Sequence, residues 1–153
     1  MAVLREVFAE AGGADVRTLL NSGNVVFTAS EPVDVAALER RVAAETGVST
    51  SILVLDAAGL RRIVAAMPPS FPEHVDESRL VIAFMSSVPS DAAIPPGLEP
   101  ELIVIGRDAV YQWLPDGVSK TQLKPAFWRQ FPPETTARNL RTVKKLLELV
   151  DGP

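Results

Sequence analysis

An α+β fold is what this sequence predicts, and three observations predict it. Short β-prone runs alternate with segments of 3.6-residue apolar periodicity; proline and glycine clusters separate them at short intervals; and 47% hydrophobic residues over 153 positions suffice for a buried core. The order of the first elements reads helix, strand, strand, helix, strand, which matches a βαββαβ unit from its second element onward.

Each element follows from local chemistry. Val3, Leu4, Val7, Phe8 and Ala11 share one helical face, and Gly12-Gly13 stops the helix. Val16 to Leu20 and Val25 to Thr28 are β-prone, and Asn21-Ser22-Gly23-Asn24 between them tolerates positive φ, so a hairpin is predicted. Asp34 caps a second helix carrying Val35, Leu38 and Val42, which ends near Gly47. Ile52 to Leu55 reads as a short strand. Asp56 caps a third helix with an apolar stripe of Leu60, Ile63, Val64 and Met67, ended by Pro68-Pro69.

Segment 68–77, with three prolines, is the predicted connection between an N-terminal half (1–67) and a C-terminal half (78–153), with one compact domain as the alternative. Leu80 to Met85 reads as a strand buried on both faces. Four prolines between Val88 and Pro100 predict an irregular connection. Glu101 to Ile105 and Ala109 to Leu114 then pair through Gly106-Arg107-Asp108. Pro115-Asp116-Gly117 is a turn. Ser119-Lys120-Thr121-Gln122 fits a capping box that would open a helix running to about Phe131. After Pro132-Pro133, Thr136 is the expected cap of a last helix with Leu140, Val143, Leu147 and Val150 on its apolar face.

Composition excludes several functions. The chain holds no cysteine, so thiolate catalysis, zinc–thiolate sites and disulfides are out. One histidine cannot build a His-rich metal centre, and no local carboxylate cluster suggests a hard-ion site, so neither metal nor cofactor is expected. No dinucleotide-binding, phosphate-loop, HExxH or nucleophile-elbow motif occurs. Charges interrupt the apolar residues near Met1, and no apolar run approaches the roughly 20 residues of a membrane helix, so a cytoplasmic protein is expected.

Four groups of residues with the right chemistry for binding or catalysis stand out. Between Ser119 and Lys145 seven basic residues face Glu134 alone, a local charge of +6, which leaves −10 on the rest of a chain whose net charge is −4. Lys120 and Arg138 fall in the first turns of predicted helices, where the macrodipole disfavours a cation. Free helix N–H groups, a hydroxyl and a cation together suit an anion, so Ser119, Lys120, Thr136, Arg138, Asn139 and Arg141 form the candidate site for a phosphate or carboxylate ligand. The competing reading is a solvated basic face whose cations meet carboxylates of the same protein, Glu134 among them. Ser22, Gly23 and Asn24 offer backbone N–H groups to a ligand, although a hairpin turn requires such residues anyway. His74 near Asp76 and Glu77 would suit general-base chemistry only beside a nucleophile. Tyr111, Trp113, Phe127, Trp128 and Phe131 gather near the basic region, where base stacking competes with plain core packing.

Ser22-Gly23-Asn24-Val25-Val26-Phe27, Ser119-Lys120-x-x-Leu123 and Thr136-Ala-Arg138-Asn139-x-x-Thr142-Val143-x-Lys145-Leu146, with Asp15-Val16-Arg17-Thr18 and the opening Met-x-x-Leu helix, make the chain resemble the domain of unknown function (DUF) 1697 family. The resemblance implies α+β architecture with two ferredoxin-like halves, and supplies no reaction and no catalytic residue. Family members begin with a β-strand and an Arg-Gly-Ile-Asn-Val-Gly-Gly loop that this chain lacks, so the first half is expected to lack its initial strand, and a truncated gene model or a missed start codon upstream of Met1 is expected. Leu140 stands where the family usually carries Trp.

The functional expectation is a binder of a small anionic ligand, with enzymatic activity on a phosphorylated or carboxylated metabolite left open. Nucleic-acid binding is disfavoured by the acidic net charge. A homodimer or other interaction through an open sheet edge is the remaining alternative.

Overall fold

A computed structural model describes residues 2–19 and 23–152. They form two compact units, Met1–Val54 with Glu148–Pro153, and Leu55–Leu147. The mixed α+β class is as the sequence predicts.

In the first unit, helix α1 (Ala2–Glu10) precedes a hairpin of strands β1 (Ala14–Leu19) and β2 (Asn24–Thr28). They pair antiparallel, with a bulge between Ala14 and Arg17 where Asp15 takes φ 49°. Asp34 caps helix α2 (Val35–Thr46) by accepting from the Ala37 N–H, and Gly47 closes it at φ 73°, a left-handed conformation that costs glycine little. Val7, Phe8, Leu38 and Val42 make the core, against which Val16, Val25, Phe27 and Ile52 pack. The strand expected at 52–55 is not formed. A strand exists only with a ladder partner, and the Ile52 N–H instead donates to the Glu39 carboxylate at 2.8 Å. The Arg17 guanidinium donates to the Leu149 carbonyl at 2.7 Å, placing a cation at a helix C-terminus.

The second unit starts with α3 (Ala57–Ala65), capped by Asp56, which accepts from the Gly59 N–H at 2.6 Å. Its sheet runs β4-β5-β3-β6, all antiparallel, from β3 (Leu80–Phe84), β4 (Leu102–Ile105), β5 (Ala109–Trp113) and β6 (Thr136–Asn139). Strand β3 is buried throughout, so its alternating side chains feed two cores. Val81 and Ala83 point to one face. There Ala83 joins Met85, Leu98, Val110, Leu123, Phe127 and Phe131. Leu80, Ile82 and Phe84 point to the other. Tyr111, directly opposite Ile82, donates its hydroxyl to the Ile63 carbonyl of α3 at 2.6 Å on that face.

Two sequence expectations fail in this unit. Ser119 opens no α-helix: Val118–Lys120 is a single 3₁₀ turn without a side-chain cap, Thr121 is extended, and the only α-helical turn is α4 (Pro125–Trp128). Proline at position 125 would lack an N–H and clash inside a helix begun at 119, but is well placed at the first helical position. The Gln122 amide, freed from any box, donates to the Leu98 and Glu99 carbonyls at 2.8 and 3.2 Å. Thr136, likewise, caps nothing, because Thr136–Asn139 is strand β6. The buried edge of β3 requires a ladder, and β6 supplies it in the register Ile82↔Arg138 and Ala83↔Ala137. The cap of helix α5 (Leu140–Asp151) is Asn139, whose side chain accepts from the Thr142 N–H at 2.9 Å.

Asn139→Ala is therefore expected to cost about 1 kcal/mol and Thr136→Ala less. Thermal melts of the two variants check the order; the reverse ranking would put the cap at Thr136.

Candidate functional site

Residues 125–137 build the most distinctive surface of the second unit. Pro125 starts the single turn of α4 and Pro132-Pro133 prevents its continuation, so Phe127, Trp128 and Phe131 crowd onto one short bend. Phe127 and Phe131 are buried, with ring centroids 5.3 Å apart. The half-buried Trp128 lies 4.8 Å from Phe127 and 5.7 Å from Phe131. Burial in the core accounts for Phe127, Phe131 and Tyr111.

Three contacts hold the bend. Gln130 makes a reciprocal pair with Ala93, accepting from its N–H at 2.9 Å and donating to its carbonyl at 3.0 Å. Thr135 turns back onto the Pro132 carbonyl through its hydroxyl at 2.7 Å. Glu134 accepts from the Ser86 N–H at 2.9 Å, and its hydrogen bonds with Ser86 hold its carboxyl below the usual range. Glu134 is thus occupied at the end of β3.

The result is an open concavity of about 610 Å³ lined by Ala83, Trp128, Arg129, Phe131, Pro132, Pro133, Thr135 and Ala137. Alanines on the two adjoining strands form a low floor, and the rings and prolines make apolar walls. Arg129 is the one charged lining residue. It is exposed, with no ion-pair partner among the described residues. The volume falls within the roughly 300–1,000 Å³ of ordinary ligand sites.

Of the residues singled out from the sequence, Trp128 and Phe131 line the concavity, and those of the expected anion site lie elsewhere. Ser119 and Lys120 are exposed on the 3₁₀ turn. On β6, Thr136 and Arg138 face the side of the sheet that carries Ile82, opposite to Ala83, Ala137 and the concavity. The Arg138 guanidinium donates to the Thr136 hydroxyl at 2.6 Å and the Ala137 carbonyl at 2.8 Å, and partial burial pushes its pKa down. Arg141 meets Asp76 at 3.3 Å, and Lys144 pairs with Glu77. Asp76 also accepts from the Ser78 hydroxyl and N–H, and these bonds, with Arg141 and Arg79 nearby, hold its carboxyl below its ordinary range. For Arg141 and Lys144 the anions are carboxylates of the protein itself. With neither 119–120 nor 136–138 in a helical first turn, the dipole conflict that singled out Lys120 and Arg138 does not arise.

Ser22 lies outside the described residues. Gly23 has φ 76°, and the Asn24 amide donates to the Leu19 carbonyl at 3.2 Å, closing the hairpin. His74 is exposed at φ 56° and touches no nucleophile among the described residues. Among the described residues no group of three or more His, Asp or Glu side chains could hold a metal ion, and no helix is long and apolar enough to cross a membrane. Sequence reasoning missed Arg129 as a site residue, although Trp128-Arg129-x-Phe131-Pro132-Pro133 carried the signal: aromatics, a cation and a double proline on one turn.

Comparison with known proteins agrees with this architecture. The chain is similar in structure to a conserved bacterial protein, SP0830 from Streptococcus pneumoniae, with a TM-score of 0.71 and 21% identity over 99% of this chain and 89% of that one. That likeness concerns the fold. No curated protein matches the chain. The family model described as protein of unknown function (DUF1697) matches residues 1–111, the hairpin, α3, β3, β4 and the start of β5 among them, and the chain belongs to that family.

Proposed function

We propose that this protein binds a small molecule with an apolar body and one carboxylate or phosphate group, and that the ligand occupies the concavity beside Trp128. The observation that carries this reading is the lining: apolar and aromatic walls with Arg129 as the single charge. Burying an anion there requires a cation, and a guanidinium offers paired donors to planar oxyanions. Ser119, Lys120, Thr136, Arg138, Asn139 and Arg141 remain a weaker second location, because Arg141 is paired and Thr136 and Arg138 bond to each other. A nucleic-acid ligand fits less well, since the basic α5 face is partly neutralised by Asp76 and Glu77. A cytoplasmic location belongs to this reading, and a chain without cysteine is compatible with a reducing compartment. Ferredoxin-like organisation is supported for the second unit by its strand order, in which the outer strands of the βαββαβ order, β3 and β6, pair at the centre and edge of one antiparallel sheet.

Calorimetric titration with aromatic and aliphatic carboxylates and phosphates tests the proposal. Saturable binding is expected, and Arg129→Ala should weaken it about 10-fold or more, the usual worth of a hydrogen bond to a charged group. Binding untouched by Arg129→Ala, or none across the panel, would overturn it.

A further inference from the structure

The two edges of the four-stranded sheet are finished differently. The Leu114 N–H donates to the Arg79 carbonyl at 2.9 Å, one step beyond the Leu80↔Trp113 pair. The Gly106 N–H donates to the Ala109 carbonyl at 2.8 Å, one step beyond Ile105↔Val110. Directly opposed residues in an antiparallel ladder alternate between facing groups and outward groups. On β6, Thr136 and Arg138 therefore turn their backbone toward β3, and Ala137 turns its own outward. Arg138 covers that edge by donating to the Ala137 carbonyl, a charge guarding an edge.

On β4, Leu102 and Val104 bond to β5, and the N–H and C=O groups of Ile103 and Ile105 point away from the sheet. Among the described residues no hydrogen bond takes them up. The strand is Leu-Ile-Val-Ile, without charge, proline or bulge, and Leu102 is 39% exposed. Such an edge is a template for another strand.

We infer that the β4 edge is a pairing surface between two copies of this chain. A two-fold axis through Val104 sets Ile103 of each copy opposite Ile105 of the other, so that outward groups meet outward groups. The same register brings Arg107 of one copy to the end of the ladder where the other copy carries Glu101. These two residues complement each other in charge. Glu101 is only 7% exposed; its carboxylate accepts from the Gln122 N–H at 2.9 Å and meets no cation among the described residues. Arg107 is exposed on the β4–β5 turn without an ion-pair partner among the described residues, whereas its neighbour Asp108 is held by Arg62 at 3.3 Å. A buried carboxylate is costly without a compensating charge, and the second copy supplies one. The Trp128 concavity lies at the β6 edge, on the other side of the sheet order, so this inference stands apart from the proposed function.

Sedimentation equilibrium of the full chain from micromolar to millimolar concentration tests it. The expected result is reversible association from 16.4 kDa to twice that mass. Val104→Lys places two ammonium groups at the axis, and Arg107→Glu sets a carboxylate against Glu101. Each should weaken association by about 10-fold or more, while Arg107→Lys retains it. Arg107 sits in an exposed turn, so its variants keep the fold if Val104→Lys does not. A monomer at every concentration would overturn the inference. So would a dimer that both Val104→Lys and Arg107→Glu leave intact.

Discussion

Ile82→Ala is expected to lower the stability of the protein by about 2–5 kcal/mol. Ile82 is fully buried at the middle of β3, between Tyr111 of β5 and Arg138 of β6. Neighbours tied into two ladders cannot collapse into the space left behind, so the transfer cost and the cavity cost add. Ile82→Val, which removes one methylene, should cost about 0.5–1.5 kcal/mol. Denaturant titration of both variants measures the difference. A cost below about 1 kcal/mol for the alanine variant would mean that β3 is not the centre of this unit.

The second large effect concerns Tyr111. Its hydroxyl is held 2.6 Å from the Ile63 carbonyl in a buried setting, so Tyr111→Phe leaves that carbonyl unsatisfied and is expected to cost about 1–3 kcal/mol. Burial, with a smaller contribution from nearby Asp108, also raises its pKa above the ordinary value near 10. The sign of the pH dependence follows. The unfolded chain loses this proton first, so stability is intact below about pH 10 and falls as the pH rises through the folded value. Tyr111 is the only tyrosine in the chain, so phenolate absorbance reads it directly. The folded protein should titrate above the denatured protein, and Tyr111→Phe should remove that part of the alkaline destabilisation. Coincident titrations of folded and denatured protein would contradict the buried hydrogen bond.

Local chemistry was legible where it depends on a few adjacent residues. Asp34 and Asp56 cap the helices they precede, Gly47 ends α2 in a left-handed conformation, and Gly106-Arg107-Asp108 joins β4 to β5. Three expectations failed, the first through a nearby proline and the other two because pairing with another segment decided the outcome. Ser119-x-x-Gln122 has the spacing of a capping box, yet Pro125 forbids the helix and Gln122 serves the Leu98–Glu99 carbonyls instead. Thr136 looks like a cap, yet its backbone completes the β3 ladder and Asn139 takes the capping role. Ile52 to Leu55 has strand composition, yet no described strand pairs with it.

The candidate site divides in the same way. Charge counting located the basic region, but whether a cation is available depends on what folds against it: Asp76 and Glu77 reach Arg141 and Lys144 from more than sixty positions away. Arg129 keeps its charge toward the concavity because the residues beside it, Ala83, Ala137 and two prolines, bring none.

By itself the sequence determined the α+β class, the family and most helix and turn boundaries, since periodicity, capping and turn chemistry act within a few residues. Only the tertiary structure decided which carboxylates neutralise which cations, that Thr136–Asn139 is a strand, and where a concavity opens beside Trp128. Each of these depends on pairings between segments far apart in the chain, and a strand or an ion pair has no existence without its partner.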